Sequence, residues 1–175
     1  MRAGLSAGRT LLLACACGAL LLSGCNNKAE LVKFNDRIAQ LFKRLGEADR
    51  AFSEGVSDFA YGRGLVDVAF KRFHKGYDRL LEITTEVAKE AAALQVPDAP
   101  GARTFHDRFR DVLKAHAEIV EDFREARNAS EKGARGARDR LRTMFQDAQA
   151  RKETAWLALH EAQEAFARAN RIKLK

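Results

Sequence analysis

Proline is almost absent from this chain. It occurs only at Pro97 and Pro100, so the two long stretches on either side contain no residue of the kind that stops a helix. Cysteine is equally scarce. Cys15, Cys17 and Cys25 all fall in the first 25 residues, so the remainder cannot form a disulfide. Long apolar runs are missing too. Leu11–Leu22 is uncharged but only twelve residues long, short of the ~20 that a membrane-spanning helix needs. Nothing alternates with period two, which argues against strands. From residue 25 on, the residue sets of common chemistries are also lacking: no Gly-x-Ser-x-Gly, no phosphate-binding glycine loop, no Cys-x-x-Cys-His and no Glu-x-x-His.

What is present at the start is an ordered leader. Arg2 and Arg9 supply positive charge, Leu11–Leu22 the apolar stretch, and Ser23-Gly24 small residues ahead of Cys25. Charge, a short apolar run and small residues together form the pattern of a cleaved export signal. Leu22-Ser23-Gly24-Cys25 resembles the lipobox of bacterial lipoprotein signal peptides, over residues 1–25 only. The resemblance implies cleavage between Gly24 and Cys25, with diacylglycerol on the Cys25 sulfur. Each buried methylene contributes ~0.8 kcal/mol and stable anchoring takes two lipid signals, which a di- or triacylated cysteine provides. Cys15 and Cys17 are then discarded with the leader, as small apolar residues. In the resembled lipoproteins, Asp directly after the lipidated cysteine favours the inner membrane. Asn26 stands here, which implies the outer membrane, on its periplasmic face; a host with one membrane would place the protein outside that membrane. The expected division is 1–24 leader, 25–27 lipidated cysteine and short tether, and 28–175 a helical domain.

Without the leader the formal net charge falls from +7 to +5, because residues 1–24 hold two arginines and no acid. Both signs are interleaved, so no nucleic-acid partner is expected. Ala, Glu, Lys, Leu and Arg dominate, the composition of long helices.

The apolar residues fall into four seams spaced by three and four, the period of one helix face. Asn27 with Glu30 reads as a capping box opening the first. That seam runs Leu31, Phe34, Ile38, Leu41, Leu45, Ala48, Phe52, Gly55, Phe59, and ends at Gly62-Arg63-Gly64. The second runs Val66, Phe70, Phe73, Tyr77, Leu80, Thr84, Val87, Ala91, Leu94, and stops at Val96–Gly101. The third, with Thr104 and Asp107 as a cap pair, carries Phe105, Phe109, Val112, His116, Ile119, Phe123, Ala126. After Gly133 and Gly136 the fourth carries Leu141, Phe145, Ala148, Lys152, Ala155, Leu159, Ala162, Phe166, Ala169. An all-α, up-down-up-down four-helix bundle fits this pattern. Two very long helices folded once at Pro97–Pro100, an antiparallel coiled-coil hairpin, fit it as well. Phe42, Val56, Leu81, Ala88, Leu113, Val120 and Trp156 widen the apolar faces, which favours the bundle.

Three seam positions are polar: Thr84, His116 and Lys152. Folding the chain at its turns brings them to one height. They form either a small ligand site in the core or a layer that sets register. In the second reading, which is preferred, Lys152 reaches outward and His116 bonds Thr84 or a water. Bundle cofactor sites ordinarily use several convergent ligands. His74, His106, His116 and His160 are scattered, and His160 with Glu164 reads as a solvated pair, so no metal is expected, nor any cofactor beyond the covalent lipid. Arg168, Arg171, Lys173 and Lys175 form a basic cluster expected beside the membrane, with Lys28 and Lys33 close by. Lys132, Arg135, Arg138, Arg140 and Arg142 crowd the opposite tip, opposed only by Asp139. The final Lys175 resembles the wall-linking terminal lysine of the major murein lipoprotein family. The tyrosine-arginine context of that family is missing, so covalent wall attachment is not expected.

The expected role is a non-enzymatic structural or interaction module, held to the membrane by acyl chains and meeting an unknown envelope protein. A binding protein with a ligand in the core layer is the alternative, and a lipoprotein contacting the cell wall a further one.

Overall fold

The structure, a computed structural model, describes the backbone of residues 9–131 and 137–174 and the side chains of 27–128 and 138–174. The Gly24–Cys25 cleavage and lipidation site, Gly133, Gly136 and Lys175 fall outside the residues whose side chains are described. Among the described residues there are four helices and no strand: α1 (Arg9–Ala60), α2 (Val66–Ala92), α3 (Ala102–Glu131) and α4 (Ala137–Ala169). Each helix packs on its neighbours in the chain and α4 closes the ring against α1, giving the all-α four-helix bundle. The long two-helix hairpin is excluded, because the chain reverses between α1 and α2. No described helix is long and apolar enough to cross a membrane.

The ends of the helices follow from local chemistry. At the close of α1, Arg63 N–H donates to the Asp58 carbonyl at 2.8 Å and Gly62 N–H to that of Phe59 at 3.4 Å. Gly62 has φ +66° and Gly64 φ +77°. That left-handed turn captures otherwise orphaned carbonyls, and a side chain there would be strained. The same motif closes α4, with Ile172 N–H bonded to Ala167 O at 3.0 Å, but a non-glycine, Arg171, occupies the left-handed position at φ 52°. α1 continues through residue 27, so Asn27 is helical and not the cap expected for it; in the full chain the preceding turn supplies the carbonyls its neighbours need. α3 starts at Ala102, ahead of Thr104, with Phe105 N–H donating to Gly101 O at 2.9 Å.

The first and third seams are buried throughout, and so is most of the other two. Val66 and Ala169 are exposed instead, since each lies in the terminal turn of its helix, where no facing helix covers it. Leu81 and Ala88 also face solvent. Among the described residues the core extends from Leu31 to Ile172. Near one end Phe34, Phe105 and Phe166 meet with ring centroids 5.6–6.0 Å apart. Toward the other, Phe52 meets Phe123 edge-on at 5.0 Å and Phe59 stacks on Phe73 at 6.0 Å. Such pairs add about 0.5–1.5 kcal/mol each beyond their burial.

α1 and α2 approach closely because two glycines allow it. A Cβ on Gly55 would lie 2.8 Å from the backbone of Arg72 and Phe73, and one on Gly76 2.8 Å from the Phe52 Cα.

Candidate functional site

Between the two aromatic clusters the core turns polar. Lys152 on α4 is 2% exposed, yet it carries an ammonium. Its Nζ donates to both carboxylate oxygens of Asp49 on α1, at 2.7 and 2.8 Å, and lies 3.3 Å from Ser53 Oγ. Lys152 therefore does not reach outward. An ammonium buried without a counter-charge is strongly unfavourable, and α1 offers a carboxylate at its height. The Trp156 ring lies one turn on, its centroid 5.8 Å from the Nζ.

His116 on α3 is fully buried. Its Nδ1–H donates to the Val112 carbonyl one turn back at 2.8 Å, not to Thr84. That bond leaves Nε2 as the acceptor nitrogen of a neutral ring. Nε2 has no hydrogen-bond partner, and the nearest carboxylate oxygen, Asp49 Oδ1, is 3.8 Å away. Burial is the largest influence on the ring and pushes its pKa below the ordinary histidine value. The Val112 bond and the Asp49 carboxylate pull it back up, and Lys152 adds to the depression. The ring also stacks on Trp156, centroids 6.3 Å apart and planes 17° apart.

Thr84 on α2 is buried, and its hydroxyl has no partner. The α2–α3 contacts His106 Nε2 to Ala91 O, 3.1 Å, and Arg127 Nε to His74 Nδ1, 3.2 Å, bracket it on either side. That register sets Thr84 across from His116. The three expected positions thus share a level of the bundle, and a fourth helix adds Asp49.

Asp49, Ser53 and Asn35 were not anticipated. Asn35 accepts from Gln163 Nε2 at 3.0 Å, a second polar link between α1 and α4, and Gln149 donates to Ser53 Oγ at 3.3 Å. The signal was there: Asn35, Phe42, Asp49 and Val56 recur every seven residues beside the main seam, facing Gln149, Trp156 and Gln163, which recur likewise. Phe42 meets Trp156 edge-on at 5.6 Å.

The layer holds an acid, an imidazole and an amine, all screened from solvent. The ammonium and carboxylate satisfy each other, and of the surface grooves described none is lined by Thr84, His116 or Lys152. No group of three or more metal-ligating residues occurs among the described residues. His160 is exposed with its ring edge-on to Phe42 at 6.1 Å, while Glu164 pairs with Arg168 at 3.4 Å.

The two ends of the bundle differ. Asn170 Nδ2 donates to the Pro100 carbonyl at 2.9 Å, tying the C-terminal segment to the α2–α3 loop. Arg168, Arg171 and Lys173 are exposed there, and Lys28 and Lys33 are exposed on the first turns of α1 that follow Asn27. At the other end Arg140 pairs with Glu125 at 3.5 Å and Arg142 with Asp139 at 3.5 Å. Asp139 is thus not the only acid opposing that cluster.

No family model, no curated protein sequence and no solved structure matches this chain.

Proposed function

We propose that the protein is a lipid-anchored, non-enzymatic module of the bacterial envelope, which holds a rigid helical bundle at a fixed height beside a membrane. The observation that carries this is the short distance from Leu22-Ser23-Gly24-Cys25 to the core: Leu31, six residues beyond Cys25, is already buried. An acylated Cys25 leaves the bundle little tether and puts the lipid at the end that holds the α2–α3 loop and the C-terminus. Exposed Arg168, Arg171 and Lys173 at that end favour anionic headgroups, at ~1 kcal/mol per basic residue near the surface. Asn26 favours the outer membrane on its periplasmic side. The polar layer supports a structural role, because its two charged groups, Lys152 and Asp49, engage each other across the core.

Labelled palmitate and fractionation of a Cys25→Ser chain test the anchor. The substitution is expected to block acylation and processing at Gly24–Cys25; a processed, membrane-bound mutant would overturn the reading. Cross-linking of the lipidated protein in intact envelopes, followed by capture, tests the interaction role.

One observation favours a second reading, a ligand bound in the core. Thr84 Oγ1, His116 Nε2 and Trp156 Nε1 are buried polar atoms with no partner. If they bind a ligand, His116→Leu abolishes that binding; if the layer is structural, the same change leaves function intact.

A further inference from the structure

The α1–α2 turn carries an exposed apolar knob. Every residue from Tyr61 to Val68 is exposed, and four of the eight are apolar: Tyr61 at 42%, Leu65 at 76%, Val66 at 53% and Val68 at 44%. Leu65 stands at the N-cap of α2 with φ −71° and ψ 131°, and makes no side-chain capping bond. Serine, threonine, aspartate or asparagine there would satisfy an open N–H of the first turn. The chain forgoes that cap and places there the most exposed large apolar side chain among the described residues. The left-handed glycines on either side of Arg63 permit the tight turn that presents the knob.

The surroundings of the knob are cationic. The guanidinium groups of Arg63 and Arg142 lie 5.8 and 5.1 Å from the Tyr61 ring centroid, and that of Arg138 lies 5.5 Å from Phe59. The acids nearby are largely engaged: Asp58 with Arg72 at 3.0 Å and Asp139 with Arg142. Asp67 and Glu54, which lines a groove with Arg63, have no ion-pair partner among the described residues. Arg63 and Arg138 have no carboxylate partner among the described residues.

We propose that this knob is a membrane-contact site, seating Leu65, Val66 and Val68 at the headgroup–acyl boundary of an anionic phospholipid bilayer, with Arg63 and Arg138 on the phosphates. Three features select a bilayer over a protein. None of the grooves described is lined by Tyr61, Leu65, Val66 or Val68, so the patch offers no pocket for a partner's side chain and suits a soft surface. Its apolar area is on the order of a few hundred Å², below the ~800 Å² per partner of a standard stable protein interface. Aliphatics ringed by arginine, with a tyrosine, also match the composition of interfacial membrane segments. The 33 residues of α4 span about 50 Å at 1.5 Å per residue. The knob therefore faces away from the bilayer that holds Cys25, and the bilayer it seats on is a second, facing one. That orientation rests on the anchor proposed above; the lipid affinity of the knob does not.

The test uses residues 25–175 without acyl groups, floated with phosphatidylcholine vesicles that contain or lack phosphatidylglycerol. Binding is expected only with the anionic lipid, and Leu65→Ser with Val66→Ser should reduce it at least tenfold. The serine at residue 65 restores a cap, so the melting temperature should hold or rise, which separates lost binding from lost fold. Arg63→Gln with Arg138→Gln should remove the preference for phosphatidylglycerol. Absence of binding by the unaltered chain overturns the proposal, as does loss of binding on Arg171→Gln with Lys173→Gln while the knob variants bind normally. Coupling Cys25 to a maleimide lipid in one vesicle population should cluster it with unlabelled anionic vesicles; binding without clustering overturns the facing geometry. A photo-cross-linker at residue 65 should label lipid in native envelopes, and a protein adduct in its place overturns the bilayer as occupant.

Discussion

Lys152 Nζ lies 2.7 and 2.8 Å from the two carboxylate oxygens of Asp49, a residue 103 positions earlier in the chain, and both side chains are buried. The pair joins α4 to α1 at mid-height. Removing water from both ions costs about as much as their attraction returns, so the pair adds little net stability while making its loss expensive. It sets the register of the two helices.

Separating the partners tests that role. Asp49→Leu or Lys152→Met alone should cost about 3–5 kcal/mol, because each leaves a charge buried without a partner. The double substitution should recover most of that loss. Urea denaturation of the four proteins measures the coupling; additive losses would show that the ion pair is not the unit of stability.

His116 gives the bundle a pH dependence of defined sign. Its folded pKa is depressed, first by burial, so below the ordinary histidine value of about 6.5 the unfolded chain binds a proton that the folded one refuses. Stability from this group is fully present above that value and falls as pH drops toward the folded pKa. His116→Leu should flatten the slope of the urea midpoint against pH in that window. An unchanged slope would assign it to other groups.

Gly55 and Gly76 permit the close α1–α2 contact. Gly55→Ala or Gly76→Ala places a methyl 2.8 Å from facing backbone, which cannot yield as a side chain does. Each should destabilise by about 1–3 kcal/mol, the usual cost of overpacking. Gly46→Ala is the control, since a Cβ there meets nothing within 4 Å; it should stabilise by up to about 1 kcal/mol through helix propensity.

Arg171 occupies a left-handed conformation at the close of α4, with φ 52°. Such a conformation costs a non-glycine residue about 1–2 kcal/mol. Arg171→Gly should therefore raise stability by up to about 1 kcal/mol, after the added flexibility of the unfolded chain is subtracted. Thermal unfolding reads this directly, and a lower melting temperature would mean that the arginine side chain contributes more than the strain removes.

The spacing of Phe34, Ile38, Leu41 and Leu45 identifies a helix and its buried face, since every third or fourth side chain shares one side. Pro97 and Pro100 mark a reversal for an equally local reason, whereas Gly62 and Gly64 mark a break that both architectures accommodate. Thr84, His116 and Lys152 were legible as polar interruptions of apolar seams. Their partners were not. Asp49 sits one residue past Ala48, beside the seam, where a carboxylate reads as solvated until a second helix is laid against it. The exposed knob was hidden by the same regularity: Val66 continues the spacing of α2, and only the absence of a covering helix turns it outward.

Helix class and helix faces were therefore determined by the sequence alone, because they depend on periods within one segment; the reversal at Gly62–Gly64 was left between the bundle and the long hairpin, and the packing of α2 on α1 decided it. Tertiary structure decided which carboxylate meets Lys152, how closely α1 approaches α2 at Gly55 and Gly76, and which apolar residues stay in water. Those outcomes depend on the depth and register of packing between segments distant in the chain. A buried ion pair or an uncovered leucine exists only once the neighbouring helix is, or is not, in place.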